Sequence, residues 1–537
     1  MLCEIPKGKS RLKVAMWAGD PAYQPAVRSA AGKAEGLSKL TDGGSPQWGE
    51  PIAVKSEISD NQTNAYVVDK IGVPFNNPHE PKMRIGAFDF FKDGETAAVC
   101  TWDGDVWIVS NIDEKLDKVT WKRFATGLHE PLGLKIVNEK IHTVGDNQIT
   151  RFHDFNGDNE ADFLENFNND WENTEGFHAF CFDLHTDPEG NFYFAIGCPV
   201  RAGGRGFERM GKHHGSVIKV SPDGEKLSIY ASGFRAPNGI GVGPNGEVTT
   251  GDNEGSFVPS APLHWVKPGS FNGVVDSYHG KRKLKSSPIL GYEIEYKEWK
   301  KYEADAREGF QHDPSETPKP LVWMSKKRGI DNSGGGQAWV TSDKWGPLKD
   351  QLLHLSYGQS KMYVVLKEEK KGQVQGGVAR IPVELSSSAM RARINPMDGQ
   401  LYVSGLKGWQ TNAKENAGFD RIRYNEKPVH LPKSIQVKKN RIEIGFYEAL
   451  DPKAVNSLSH FKFGAWNLKW SFNYGSPEIP VKEMELKKVE LLADGKTIAL
   501  HIPNLKPVHM AQIDYNIKSA KGEEIKGRID HTIHVVE

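Results

Sequence analysis

The chain has 537 residues, enough for two to four domains and a sizeable buried core. Lysine plus arginine and aspartate plus glutamate both total 69, so the formal net charge is zero and nothing electrostatic recommends nucleic acid or an anionic membrane as partner. Four cysteines (Cys3, Cys100, Cys181, Cys198) with no C-x-x-C pair argue against a disulfide scaffold or structural zinc, and no apolar run approaches the roughly 18 residues of a membrane span.

The first ten residues, MLCEIPKGKS, lack the basic-then-apolar plan of a signal peptide. Residues 1–80 read as an N-terminal extension, with an edge strand near 11–17 and a Pro/Asn-rich approach to the first repeat. From 81 to 430 one pattern returns: a small or Pro-containing corner, a short apolar strand, a Gly turn, then a second strand ending near Gly. PLGLKIVNEKIHTVGDNQITRF (131–152), FDLHTDPEGNFYFAIG (182–197), APNGIGVGPNGEVTTGDNEG (236–255) and RARINPMDGQLYVSGLKGW (391–409) all carry it. Asp-Gly and Asn-Gly between alternating apolar residues are hairpin signals. Units spaced roughly 40–60 residues apart suit four-stranded blades repeated around an axis. The expected fold is all-β: a β-propeller of six blades (seven as the alternative) beginning near 84, 123, 178, 234, 331 and 389. A charged insertion at 276–320 breaks the repeat, as a lid, a binding loop or a disordered stretch would. Residues 434–537 alternate polar and apolar positions and read as an immunoglobulin-like β-sandwich without clustered polar chemistry.

One stretch has the spacing of a calcium loop. Asp154, Asn156, Asp158 and Asp162 place oxygen side chains at positions 1, 3, 5 and 9, Glu165 falls at position 12, and Glu160 at position 7 would offer its carbonyl. Asn159 stands where such loops carry Gly, and it is one of the few other residues at ease at positive φ. The competing reading is an acidic, solvated turn between strands.

Propeller ligands sit over the central channel, so polar residues at equivalent corners of successive blades are candidates for a site. His178 precedes one such strand, and His213 and His214 another. Arg235 and Asn238 occupy FRAPNG, with Asp252 and Glu254 following; Asp331 opens the fifth unit, Tyr357 ends LLHLSYG, and Arg391 and Arg393 open the last. Histidine can take a proton near neutral pH, and arginine can hold a carboxylate or oxyanion. Each has a structural alternative. A lone His is more often a hydrogen-bonded scaffold residue, Arg235 can tie two blades together through Asp252 or Glu254, and Trp102, Trp345 and Trp409 suit blade packing.

The stretch HHGSVIKVSPDGEKLSIYASGFRAPNGIGVGPNGEVTTGDNEG (213–255) resembles the central blades of the soluble quinoprotein sugar dehydrogenases, six-bladed propellers that bind pyrroloquinoline quinone and calcium. Arg235, Pro237 and Gly239 match that family's corner, with Ala236 in place of its Asn, and Glu254 falls where cofactor and calcium ligands lie. The resemblance implies His178 as catalytic base and Arg391 and Arg393 as cofactor contacts. Over roughly 60–537 the chain also resembles the large secreted dehydrogenase-like propeller proteins of planctomycetes, verrucomicrobia and some Bacteroidetes, through AYVVDKIGVPFNNP, WGPLKDQLLHLSYG and VQGGVARIP among others. That implies a periplasmic or secreted setting and, with residues 1–45 reading as the tail of a preceding domain, further domains in a longer polypeptide. No C-x-x-C-H is present, which excludes covalent haem in this chain.

Three functions emerge as expectations, all on sugars or oligosaccharides. The first is sugar oxidation with a quinone and calcium at the channel, His178 as base, Arg235, Asn238, Arg391 and Arg393 holding the cofactor and Glu254 near calcium, with Arg235 and Tyr357 as further catalytic candidates. The second is a cofactor-free lyase or hydrolase on the same face, in which His178 or His213/His214 does the acid/base work while arginines hold a uronate or sulfate. The third is a non-catalytic glycan-binding propeller.

Overall fold

The structure is a computed structural model and describes residues 18–32, 41–172, 174, 176, 178–200, 204, 207–208, 210–255, 258–274, 317–408, 410–469 and 474–537. The expected edge strand at 11–17, most of the 276–320 insertion and Trp409 lie outside them. No described helix is long and apolar enough to cross a membrane.

Antiparallel hairpins, closed by the Gly turns seen in the sequence, build the molecule. Six sheets follow one another among the described residues, and each begins at an inner strand: Ile85–Phe90, Gly133–Val137, Cys181–Thr186, Gly239–Val242, Gly334–Trp339 and Arg391–Ile394. These inner strands neighbour one another in that order and the sixth returns to the first, which closes the ring of a β-propeller. Their backbones approach closely because small residues line them. A Cβ on Gly239 would meet the Gly336 amide nitrogen at 2.4 Å, and one on Gly133 the Asp183 carbonyl at 2.4 Å.

The expected start near 123 falls instead in Thr120–Ala125, the outer strand of blade 1; blade 2 opens at Gly133. Outer and inner strands share the same alternation, so the pattern could not tell them apart. The N-terminal extension is likewise not separate from the ring. Tyr66–Lys70 pairs with Ala417–Tyr424 as the outermost strand of blade 6, and Ile52–Ala53 adds an edge to blade 1. Asp69, fully buried, accepts from Arg421 at 2.9 Å and Arg423 at 3.1 Å, and Tyr66 packs on Trp345 with ring centroids 4.5 Å apart. Ring closure thus joins the N-terminal extension to the last blade, segments at opposite ends of the propeller sequence.

The C-terminal region is two sheets over one core. Pro432–Lys438, Arg441–Phe446, Thr497–His501 and Lys488–Leu491 form the first; Glu524–Ile533, Val508–Lys518, Phe461–Leu468 and Glu478–Pro480 form the second. Ile435, Ile444, Leu500, Ile513 and Ile529 meet between them, fully or almost fully buried. The second sheet continues blade 5 edge to edge, where Gln373–Ile381 pairs with Glu524–Ile533 through Gly377–His531, Val378–Asp530 and Ala379–Ile529. The two domains therefore share an eight-stranded sheet.

Candidate functional site

Because the strands of each blade alternate in direction, residues just before an inner strand and just after a second strand emerge at the same end of the channel. At that end Leu132, His178, Phe180, Asn238, Ser333 and Met390 approach from the inner-strand side, and Trp102, Asn253, Tyr357 and Leu406 from the second-strand side. Together with Phe182 and Ala236 they line a small cavity of about 40 Å³. At about 30 Å³ per water, that holds a water or the hydroxyl-bearing edge of a larger ligand.

The walls are aromatic. Trp102 meets Phe180 edge-on at 5.6 Å, Phe180 meets Phe182 at 5.6 Å, and the Arg84 guanidinium lies 4.2 Å from the centre of the Trp102 ring while pairing with Asp103. The polar groups are neutral. Burial, then the nearby Arg235, lowers the His178 pKa to about 4, so its imidazole is unprotonated at neutral pH. Its backbone sits at φ 72°, unusual for a non-glycine residue. Burial pushes Tyr357 up to about 12 and keeps its hydroxyl protonated. Asn238 and Asn253 each turn a buried side-chain oxygen, Oδ1, that has no hydrogen-bond partner among the described residues. An unpaired buried carbonyl costs about 1–3 kcal/mol, so these oxygens call for a donor from outside.

The other expected residues lie elsewhere. Arg235 is buried outside the lining: its backbone amide and that of Ala236 each donate to Asp252 at 2.7 Å, its guanidinium donates to the Gly204 carbonyl at 2.9 Å and lies 5.4 Å from the Tyr474 ring. The Arg235–Asp252 tie thus runs through backbone amides. Burial raises Asp252 to about 6. Glu254 is buried, 3.8 Å from Lys326. His213 Nδ1 accepts from the Glu172 amide at 3.0 Å and His214 Nδ1 from the Gly211 amide at 2.8 Å, so both brace a turn of blade 3 and neither lines the cavity.

Arg391 and Arg393 point down the channel, not into the mouth. Arg391 is fully buried and donates to the carbonyls of Leu132 (2.9 Å), Asn238 (2.7 Å) and Met390 (3.0 Å). Arg393 donates to Asp183 at 3.2 Å and to the Leu184 carbonyl at 3.1 Å. Burial alone would push the Asp183 carboxyl up; His185, Arg391 and Arg393 outweigh it and hold it well below the usual range. These arginines tie blades 6, 2, 3 and 4 together across the axis.

The acidic loop differs from the arrangement its spacing suggests. Asp154 accepts from the Gly157 and Asn159 amides at 2.7 and 3.0 Å, Asp158 from Glu160 at 2.9 Å, Asn156 from Asp158 at 3.0 Å, and Asp162 from Phe155 at 2.7 Å and Gly44 at 2.5 Å. The Glu160 carboxylate accepts from the Gln47 and Trp48 amides at 2.5 and 3.1 Å. Glu165 lies on the strand Phe163–Asn168 and is committed to Arg151 and His153, each within 2.6 Å; Arg151 is the main cause of its pKa of about 2. Among the described residues the carboxylates of the loop are not gathered within 4.8 Å of one another; His129, Glu130 and Asp146 are.

A quinone bearing carboxylates needs cations and a slot of several hundred Å³. The described lining offers about 40 Å³ and neither lysine nor arginine, and the side chains of Arg235, Arg391 and Arg393 donate to protein acceptors. The described residues do not fit that group.

No protein-family description matches the chain, and no curated protein does. Solved structures similar to it include an oxidoreductase of Thermus thermophilus described as a glucose dehydrogenase (13% identity, TM-score 0.45, covering 63% of this chain and 96% of that one). The PQQ-bound aldose sugar dehydrogenase of Streptomyces coelicolor is similar at 11% identity and TM-score 0.38 (68% and 100% covered), and a WD40-repeat structure at 10% and 0.35 (69% and 100%). At such values these likenesses carry no argument, and the fold rests on the strand pairing itself. Phe182, Ser333, Asn253, Met390 and Leu406 were missed as lining residues; their positions relative to strand ends were the signal that could have found them.

Proposed function

We propose that the protein is a carbohydrate-active propeller that takes the hydroxyl-bearing edge of a neutral sugar into the channel mouth, with His178 as the base. The observation that carries this is the pair of buried, unpartnered side-chain oxygens carried by Asn238 and Asn253, two residues that line an aromatic-walled cavity. Sugar hydroxyls supply the donors those oxygens lack, and the apolar faces of sugar rings suit Trp102 and Phe180. A neutral imidazole can accept a hydroxyl proton, while the protonated Tyr357 can donate to a substrate oxygen. The absence of charge on the described lining disfavours a uronate or sulfate at this particular point.

The test is calorimetric titration with a panel of neutral mono- and oligosaccharides, followed by turnover assays for oxidation and for cleavage. Asn238→Leu should weaken binding about tenfold or more, while His178→Ala should bind normally and lose turnover about 100-fold or more. Turnover unchanged by His178→Ala would remove the residue from catalysis, and saturable sugar binding with no turnover in the unaltered chain would leave a glycan-binding propeller. Binding of no sugar would end the reading altogether.

Quinone-dependent sugar oxidation is the second reading. In its favour, His178, which the quinoprotein resemblance implies as base, shares one cavity with Asn238 and Tyr357; against it stands the poor fit of the mouth. Titration of the protein with pyrroloquinoline quinone decides, since a tight ligand raises Tm by mass action. The resemblance to secreted propellers also supports a periplasmic or secreted setting, which cell fractionation checks.

A further inference from the structure

A second cavity, which shares no lining residue with the mouth, lies where blade 5 meets the C-terminal sandwich, with a volume of about 1070 Å³. Both domains wall it: Lys361 and Arg380 come from the propeller, Lys462, Lys526, Arg528 and Asp530 from the sandwich. The shared eight-stranded sheet forms its floor, because Asp530 stands opposite Val378 in the pairing that joins the two domains.

Asp530 is the telling residue. It is 7% exposed, its carboxyl group makes no hydrogen bond or ion pair among the described residues, and its one outlet is the cleft. Burial raises it to about 7 even with Arg528 and Arg328 near, so it can offer a hydroxyl either a proton or a lone pair. The cations above it are in excess of their partners. Arg528 is matched with Asp514 at 2.6 Å, and Lys361 donates only to the Gly329 carbonyl at 2.7 Å. Burial first, then Arg380 and Arg528, lowers the Lys361 pKa, which shows positive charges crowding one another across the opening. Arg380, Lys462 and Lys526, all exposed at the rim, form no ion pair within 4 Å among the described residues; Glu384 and Glu524 also line the cleft, with Glu384 paired to Lys414.

A ligand that satisfies both levels must bring hydroxyl groups to the floor and negative charge to the rim. We propose that this cleft is a second ligand site, for an acidic saccharide bearing carboxylate or sulfate groups, seated on Asp530 and held by Arg380 and Lys526. The volume exceeds the usual span of small-molecule sites and admits more than one sugar ring. It is independent of the mouth, which takes a neutral edge.

The experiment titrates the full chain with a sulfated or uronate-containing disaccharide, its neutral counterpart and inorganic sulfate, by calorimetry at two salt concentrations. The acidic disaccharide should bind saturably and more weakly at high salt and, in an Asn238→Leu background that weakens the mouth, at least about tenfold tighter than either control. Arg380→Glu, a change on an exposed side chain, should weaken it about tenfold, and Asp530→Leu should do so in a variant whose Tm shows that it is folded. Asn238→Leu at the mouth should leave it unchanged. The proposal is overturned if, in the Asn238→Leu background that weakens the mouth, the neutral disaccharide or sulfate alone binds as tightly, if Arg380→Glu has no effect, or if nothing binds.

Discussion

The acidic loop at 154–165 is crowded with polar side chains and the channel mouth carries a few among aromatic walls, and the two differ in what satisfies them. In the loop, Asp154, Asp158, Glu160 and Asp162 all accept backbone amides of the protein itself, and Glu165 is consumed by Arg151 and His153. At the mouth, the oxygens of Asn238 and Asn253 are buried and unpaired among the described residues. The denser cluster is thus the self-sufficient one. Ligand sites are marked by polar atoms that the fold leaves unmet, since a satisfied carboxylate has little to gain from a new partner.

Mutation offers the largest contrast. Asp154→Ala strips the Gly157 and Asn159 amides of their acceptor and should cost about 1 kcal/mol of stability by denaturant melts, with sugar binding at the mouth unchanged. Asn238→Leu should do the reverse, weakening the ligand while leaving Tm level or higher, because it deletes an unpaired buried oxygen. Loss of stability in both variants to the same degree would erase the distinction.

A smaller effect, of opposite sign in the two regions, should appear with pH. Glu165 titrates at about 2 in the folded chain against 4.5 ordinarily, so its contribution is full above pH 4.5 and fades as pH falls towards 2. Asp252, which holds the FRAPNG corner beside the mouth, is raised from 3.8 to about 6; its ionisation is disfavoured in the fold, so stability declines as pH climbs from 3.8 through 6. Glu165→Gln should flatten the first limb of a Tm-against-pH curve and Asp252→Asn the second. Smallest of all is the response to calcium: millimolar calcium should shift Tm little against a chelator, because amide hydrogen bonds already offset much of the charge on the loop carboxylates. A clear calcium-dependent rise would restore the loop as a metal clip.

Much of the propeller could be read directly. Lys92-Asp93-Gly94 and Asn245-Gly246 do turn hairpins, with Gly94 at φ 70° and Gly246 at φ 82°, and every inner strand except that of blade 2 begins close to its expected corner. The site was legible only in part. His178, Asn238 and Tyr357 reach the mouth, whereas Arg235, Arg391, Arg393, His213 and His214, equally prominent at the corners, brace the scaffold. A corner position fixes the end of the channel at which a residue emerges but leaves open whether its side chain turns to the axis, the neighbouring blade or the cavity.

Period-two alternation and Asp-Gly turns are local, so the sequence by itself determined the hairpins, their grouping into radial units and the all-β character of both domains. Three things were decided only by the tertiary structure: the closure of blade 6 by Tyr66–Lys70, the sheet shared by blade 5 and the sandwich, and the identity of the polar atoms left without partners among the described residues. Each depends on contacts between segments far apart in the chain, and no local pattern records which of several equivalent edges or acceptors a distant segment will take.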